Sequence, residues 1–143
     1  MPPAAKIAVN ILGRACLIAI FLSSALANKI PNFSSVAKMM GDKGIPAPQF
    51  LLAGAILFLI VGSLAILVGY KARIGAALLL VFLILATYWF HDFWNYAADE
   101  GRREQQISFM KNLGLAGAML MIIAAGSGPG SLDKQIEKER QSN

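Results

Sequence analysis

The residues able to do chemistry in this chain gather in two short stretches. Residues 87–96 read T-Y-W-F-H-D-F-W-N-Y and hold the single histidine, both tryptophans and two of the three tyrosines. Residues 106–112 read Q-I-S-F-M-K-N and open the next apolar run. Thr87 and His91 stand four apart, on one face of a helix, with Trp94 three residues further on. Lys111 lies about one turn inside its helix, where an unpaired ammonium is costly, and Asp92 is the acid nearest to it in depth. The expected arrangement is a polar cluster of His91, Asp92, Lys111 and Asn112, flanked by Thr87 and Gln106. Its chemistry is hydrogen bonding and ion pairing, which suits ligand binding or bracing of the fold.

Bond-breaking chemistry finds no machinery in the sequence. A lone histidine without a surrounding group of acids is a poor metal site. No serine–histidine–acid set, glycine-rich phosphate loop or pair of haem-ligating histidines is present. Cys16 is the single cysteine and makes no disulfide, CxxC pair or metal cage by itself. We therefore assign no catalytic and no metal-binding residue. The aromatics also admit a plain explanation: Tyr88, Trp89 and Trp94, with Phe93 and Tyr96, read as the belt that anchors a membrane helix at the interface.

The elements that must carry these residues are membrane helices. The chain is 57% hydrophobic and 15% charged, far greasier than a soluble domain. Its charges sit in gaps between long apolar runs. A bilayer core requires about 20 apolar residues per helix, and four runs meet that, at about 7–27, 49–70, 74–94 and 107–125. The net charge of +5 is spread over loops and tail, the pattern of membrane-flanking positive charge and not of a nucleic-acid-binding patch.

The expected fold is all-α, an antiparallel bundle of four transmembrane helices in residues 1–132, followed by a charged tail at 133–143. In the first span Ala15, Ala19, Ser23 and Ala27 form a stripe of small residues suited to close packing in lipid. Arg14 interrupts that span near its start and is expected to snorkel to the interface. Residues 25–27 (A-L-A) imitate a signal-peptide cleavage site, but counting from residue 7 gives a full, uncleaved span. Between the first two spans Phe33, Val36, Ala37 and Met40 recur at helical spacing, predicting a short interfacial helix capped by Asn32 that covers helix ends. Gly54, Gly62, Ser63 and Gly69 are expected close-packing points of the second span. The short K-A-R turn at 71–73 makes the second and third spans antiparallel neighbours and places both termini in the cytoplasm. Alternation of direction then brings Ser23 and Lys29 to the same end as the cluster.

At these residues the chain resembles the DoxX family of small four-helix membrane proteins. The resemblance rests on Gly13-Arg14 with Ser23 and Lys29, I-P-A-P at 45–48, and Gly62, Gly69 and Arg73. It rests most on T-Y-W-F-H-D-F-W at 87–94, Q-I-S-F-M-K-N-L at 106–113 and G-P-G-S-L-D at 128–133. It implies a multi-pass protein of a bacterial-type plasma (inner) membrane that is an auxiliary subunit of a redox complex without catalysis of its own. A quinone is the one cofactor it brings in, with His91 or Lys111 hydrogen-bonding a carbonyl. More distant relatives resemble secretory cargo receptors, so the alternative is a receptor or scaffold that binds a protein partner through residues 28–48. Binding of a small solute or lipid, in a homo-oligomer, is a third reading. Family members often carry a glutamate in the middle of the second span; here that position falls on Leu59 or a neighbour.

Overall fold

The computed structural model describes residues 1–97 and 101–142, and every element among them is helical. α1 spans Pro3–Ser23 and continues through a widened turn, Ser24–Lys29. α2 is Phe33–Asp42, α3 Pro48–Val68, α4 Ala72–Phe90, α5 Arg102–Ala125 and α6 Leu132–Ser142. Four of them, α1, α3, α4 and α5, are long and apolar enough to cross a bilayer. They pack as an antiparallel bundle. Its mouth holds the end of α1, the start of α3, the end of α4 and the start of α5; its base holds the opposite ends and the start of α6.

One buried cluster draws on all four spans: Ile18, Phe21 and Ala25 from α1, Leu59 and Ile66 from α3, Ala76, Leu79 and Leu83 from α4, and Met119 from α5. Leu59 is wholly enclosed in this apolar core. The tightest approach is between α3 and α4. A Cβ on Gly62 would lie 2.8 Å from the carbonyl oxygen of Gly75, and one on Gly75 would lie 2.8 Å from that of Gly62. In lipid such contact between backbones replaces water exclusion as the force that holds helices together.

Two expectations about packing give way. The buried face of α1 is Arg14, Ile18, Phe21 and Ala25, whereas Ala19, Ser23 and Ala27 are exposed. The small-residue stripe therefore looks outward, because the large side chains on the adjacent face are the ones that fill the core. Gly54 likewise has open space where a Cβ would go, so of the expected close-packing points only Gly62 and Ser63 in α3 and Gly69 just after it are enclosed. Arg14 is a further correction. It is 5% exposed and does not snorkel. α1 begins at Pro3, which sets Arg14 three turns deep, and its Nη2 donates to the carbonyl of Gly130 at 3.2 Å.

α2 forms where its apolar spacing predicts and lies over the mouth. Ala37, Met40, Ile45 and Leu52 are buried there together, with Trp89 and Phe90 of α4 packed against them. Asn32 precedes the helix but does not cap it; its amide donates backwards to the carbonyl of Asn28 at 3.0 Å. At the base the chain after α5 folds back onto the α3–α4 turn. The Asp133 N–H donates to the Gly69 carbonyl at 3.0 Å. The Asp133 carboxylate accepts from the N–H groups of Lys71 at 2.9 Å and Ala72 at 3.3 Å. These N–H groups open α4 and have no partner within the helix, so a carboxylate satisfies them and meets the positive end of the helix dipole.

Candidate functional site

The mouth is built where α4 and α5 meet. α4 runs unbroken to Phe90 and stops at His91, whose backbone turns to φ −127° while its N–H still reaches Thr87 O at 3.0 Å. A short turn, Phe93–Asn95, follows, and Phe93 lies edge-on to Phe109 of α5 with ring centres 5.3 Å apart. α5 begins at Arg102, more than a turn ahead of the expected residue 107, behind Gly101 in the left-handed region. The acid Glu104 in its first turn suits the positive end of that helix.

The polar residues do not form the one cluster that their depth predicts. They divide by helical face. Facing inward, the Asn112 amide donates to Thr87 Oγ1 at 2.9 Å, and His91 Nδ1 meets Gln105 Oε1 at 2.9 Å. With an oxygen as partner, Nδ1 is the donor of this bond. Gln105, Asn112 and Met119 are seven apart and share one face, so the glutamine that reaches His91 is Gln105 and not the expected Gln106. Counting seven back from Asn112 would have found it. Facing outward, Gln106 and Lys111 are both exposed and line an open depression of about 460 Å³ with Ile107 and Met110.

The expected Asp92–Lys111 pair is therefore absent. Asp92 faces the loop after α2, with Lys43 Nζ at 3.9 Å from Oδ1, while Asn95 donates to Oδ2 at 2.8 Å. Both partners of this ion pair are partly exposed, and at that separation it adds little to stability. It does tie the end of α4 to the end of α2, and Lys43 also lies over the Phe90 ring at 5.6 Å.

α1 contributes Lys29 but not Ser23. Its last turn is widened to i→i+5 bonding, as the bond from Ile30 N–H to Ala25 O at 2.9 Å shows. This brings Lys29 Nζ to Ser24 Oγ at 2.7 Å and over the Phe82 ring of α4 at 5.2 Å. Such single widened turns are often found at functional sites. Ser23 stays exposed on the other side. The aromatics divide as well. Tyr88 and Trp94 are exposed at 64% and 49%, as interfacial anchors are, whereas Trp89 is half-buried under α2.

The inward pairs act as struts between α4 and α5, and this is testable. Thr87→Val leaves the Asn112 amide without its acceptor in an apolar setting, which costs about 1–3 kcal/mol. Thr87→Val combined with Asn112→Leu removes both polar groups and is expected to recover most of that loss. Denaturant midpoints of the two variants in micelles measure it; equal loss in single and double variants would show that the pair braces nothing.

Among known proteins, the DoxX family model matches residues 9–92 and the SURF4 family model matches residues 51–139. The chain is 32% identical to "Inner membrane protein YqjF" of Escherichia coli (strain K12) over 131 residues, which cover 92% of this chain and 95% of that protein. It is 25% identical to "Inner membrane protein YphA" of the same organism over 132 residues, covering 92% and 93%. No solved structure matches the chain.

Proposed function

The chain belongs to the DoxX family of integral membrane proteins, and from that premise we propose that it is an auxiliary subunit of a membrane redox complex that holds a quinone head group beside α5. The observation that carries this reading is Lys111. Its side chain is exposed on the outward face of a spanning helix, at the edge of an open apolar depression. No acid pairs with it among the described residues. An ammonium in that position is strongly biased to find an oxygen. A quinone presents one on a flat apolar ring: the carbonyl would accept from Lys111 and Gln106, and the ring would lie on Ile107 and Met110. His91 is held by Gln105 and serves as a strut beside this groove. The chain supplies binding and orientation, and the electron chemistry belongs to its partners.

In this reading residues 1–132 form the membrane unit and 133–143 the tail, stapled to the base through Asp133. The base and both termini face the cytoplasm, in keeping with Lys71 and Arg73 in the short α3–α4 turn. The inner-membrane names of the two Escherichia coli proteins support placement in a plasma membrane.

Quinone extracted from the protein purified with its native lipids tests the proposal. Lys111→Met removes a charge-assisted hydrogen bond and is expected to lower bound quinone about tenfold or more, with helix content unchanged. A variant that retains as much quinone as the parent would overturn the reading. A second reading, a receptor or scaffold, draws on α2: Ser34, Ser35, Lys38 and Met39 are exposed while the opposite face seals the mouth. A stoichiometric protein partner released by Lys38→Glu, without copurified quinone, would favour it.

A further inference from the structure

Arg14 lies at the base, away from the mouth. One guanidinium nitrogen, Nη2, reaches the Gly130 carbonyl; Nε and Nη1 are enclosed without a protein partner. Among the described residues no carboxylate pairs with it. Asp133, which reaches the same turn, has both oxygens on the N–H groups of Lys71 and Ala72. A guanidinium withdrawn from water without a counter-charge is strongly disfavoured.

The surroundings of Arg14 form a path. Lys6, Asn10 and Arg14 are four apart and share one face of α1. Their exposure falls along the helix: Lys6 is exposed, Asn10 half-buried and Arg14 buried. Asn10 Oδ1 is also enclosed without a partner. The loop after α5 lies directly on this stripe. A Cβ on Gly128 would come 2.5 Å from Asn10 Nδ2, and one on Gly130 would come 2.8 Å from Ile7.

We propose that Arg14 and Asn10 form an oxyanion site at the base of the bundle, entered along the Lys6–Asn10–Arg14 stripe and covered by the loop at 126–131. Its ligand is a phosphate-type oxyanion, carried on a lipid head group or free in solution. Water would satisfy the open hydrogen bonds but leave the charge uncompensated, whereas an anion does both. A half-turn of the Asn10 amide exchanges its oxygen for its NH2, so Nε, Nη1 and Asn10 Nδ2 all become donors. Donors spread over three nitrogens suit the several oxygens of a phosphate. The exposed Lys6 draws the anion to the entrance.

The test uses the full chain in dodecyl maltoside micelles. Native mass spectrometry compares retention of phosphatidylglycerol with that of digalactosyl diacylglycerol, which has no phosphate. Titration calorimetry with inorganic phosphate forms a second arm. The parent protein is expected to retain the phospholipid, or to bind phosphate, and Arg14→Gln to weaken that about ten- to a hundredfold. Retention of the phospholipid identifies a head group, and phosphate binding alone identifies a free ion; either supports the site. A parent protein that prefers neither, or an Arg14→Gln variant that binds as the parent does, overturns it. Lys6→Gln changes an exposed side chain and carries the test if Arg14→Gln does not fold: several-fold weaker binding supports the site, and unchanged affinity overturns it.

Discussion

Gly62→Val is expected to destabilise the bundle strongly, while the same substitution at Gly54 is expected to leave it almost untouched. The two glycines lie in one helix, and composition gives no reason to tell them apart. At Gly62 a Cβ would stand 2.8 Å from the Gly75 carbonyl oxygen and 2.8 Å from Leu79 Cγ; at Gly54 it would meet nothing within 4 Å. A leucine side chain can rotate away, but the Gly75 carbonyl belongs to the backbone of α4 and cannot move without the helix. Overpacking of this kind costs about 1–3 kcal/mol, and contact with backbone puts Gly62 at the upper end. Denaturant titration in micelles, followed by circular dichroism, would show the Gly62→Val midpoint falling well below that of Gly54→Val. Coincident midpoints would mean that the α3–α4 crossing is not what holds the spans together.

Gly69→Val is expected to produce a comparable loss with a different signature, release of the base. Gly69 ends α3 at φ +74°, a conformation that costs a residue with a side chain about 1 kcal/mol or more. A Cβ there would also collide with Arg14 Nη1 and the side chain of Ser131, and lie 2.9 Å from the Ser131 Cα. The Gly69 carbonyl accepts from the Asp133 N–H, and Ser127 Oγ lies 3.5 Å from it. Displacing this turn therefore frees the chain after α5, and limited proteolysis is expected to cut Gly69→Val rapidly between residues 126 and 133 while the spans stay protected. Cleavage at the parent's rate would count against the base being one unit.

The mouth shows how far spacing alone could reach. Residues 87–96 and 106–112 do lie at the same end of the bundle, as alternation of direction requires. Depth along a helix follows from counting residues, so shared depth is legible in the sequence. Which way a side chain points depends on helical phase and on where each helix starts and stops. α4 stops at His91, and α5 starts at Arg102. That phase turns Gln105 and Asn112 inward and Gln106 and Lys111 outward. The widened turn of α1 likewise sets Lys29 on Ser24, while Ser23, expected at the cluster, stays exposed.

What the sequence determined by itself is the class: four spans, their order, the interfacial helix and the turn that makes α3 and α4 neighbours. Apolar length and glycine–proline punctuation are local properties, and a bilayer converts them into spans without reference to the rest of the chain. What only the tertiary structure decided is every pairing between elements. Asp92 chooses Lys43 over Lys111 because α2 folds across the mouth. Arg14 is enclosed instead of snorkelling because a loop more than a hundred residues later comes back over it. Both outcomes depend on packing between segments distant in sequence, which neither periodicity nor composition encodes.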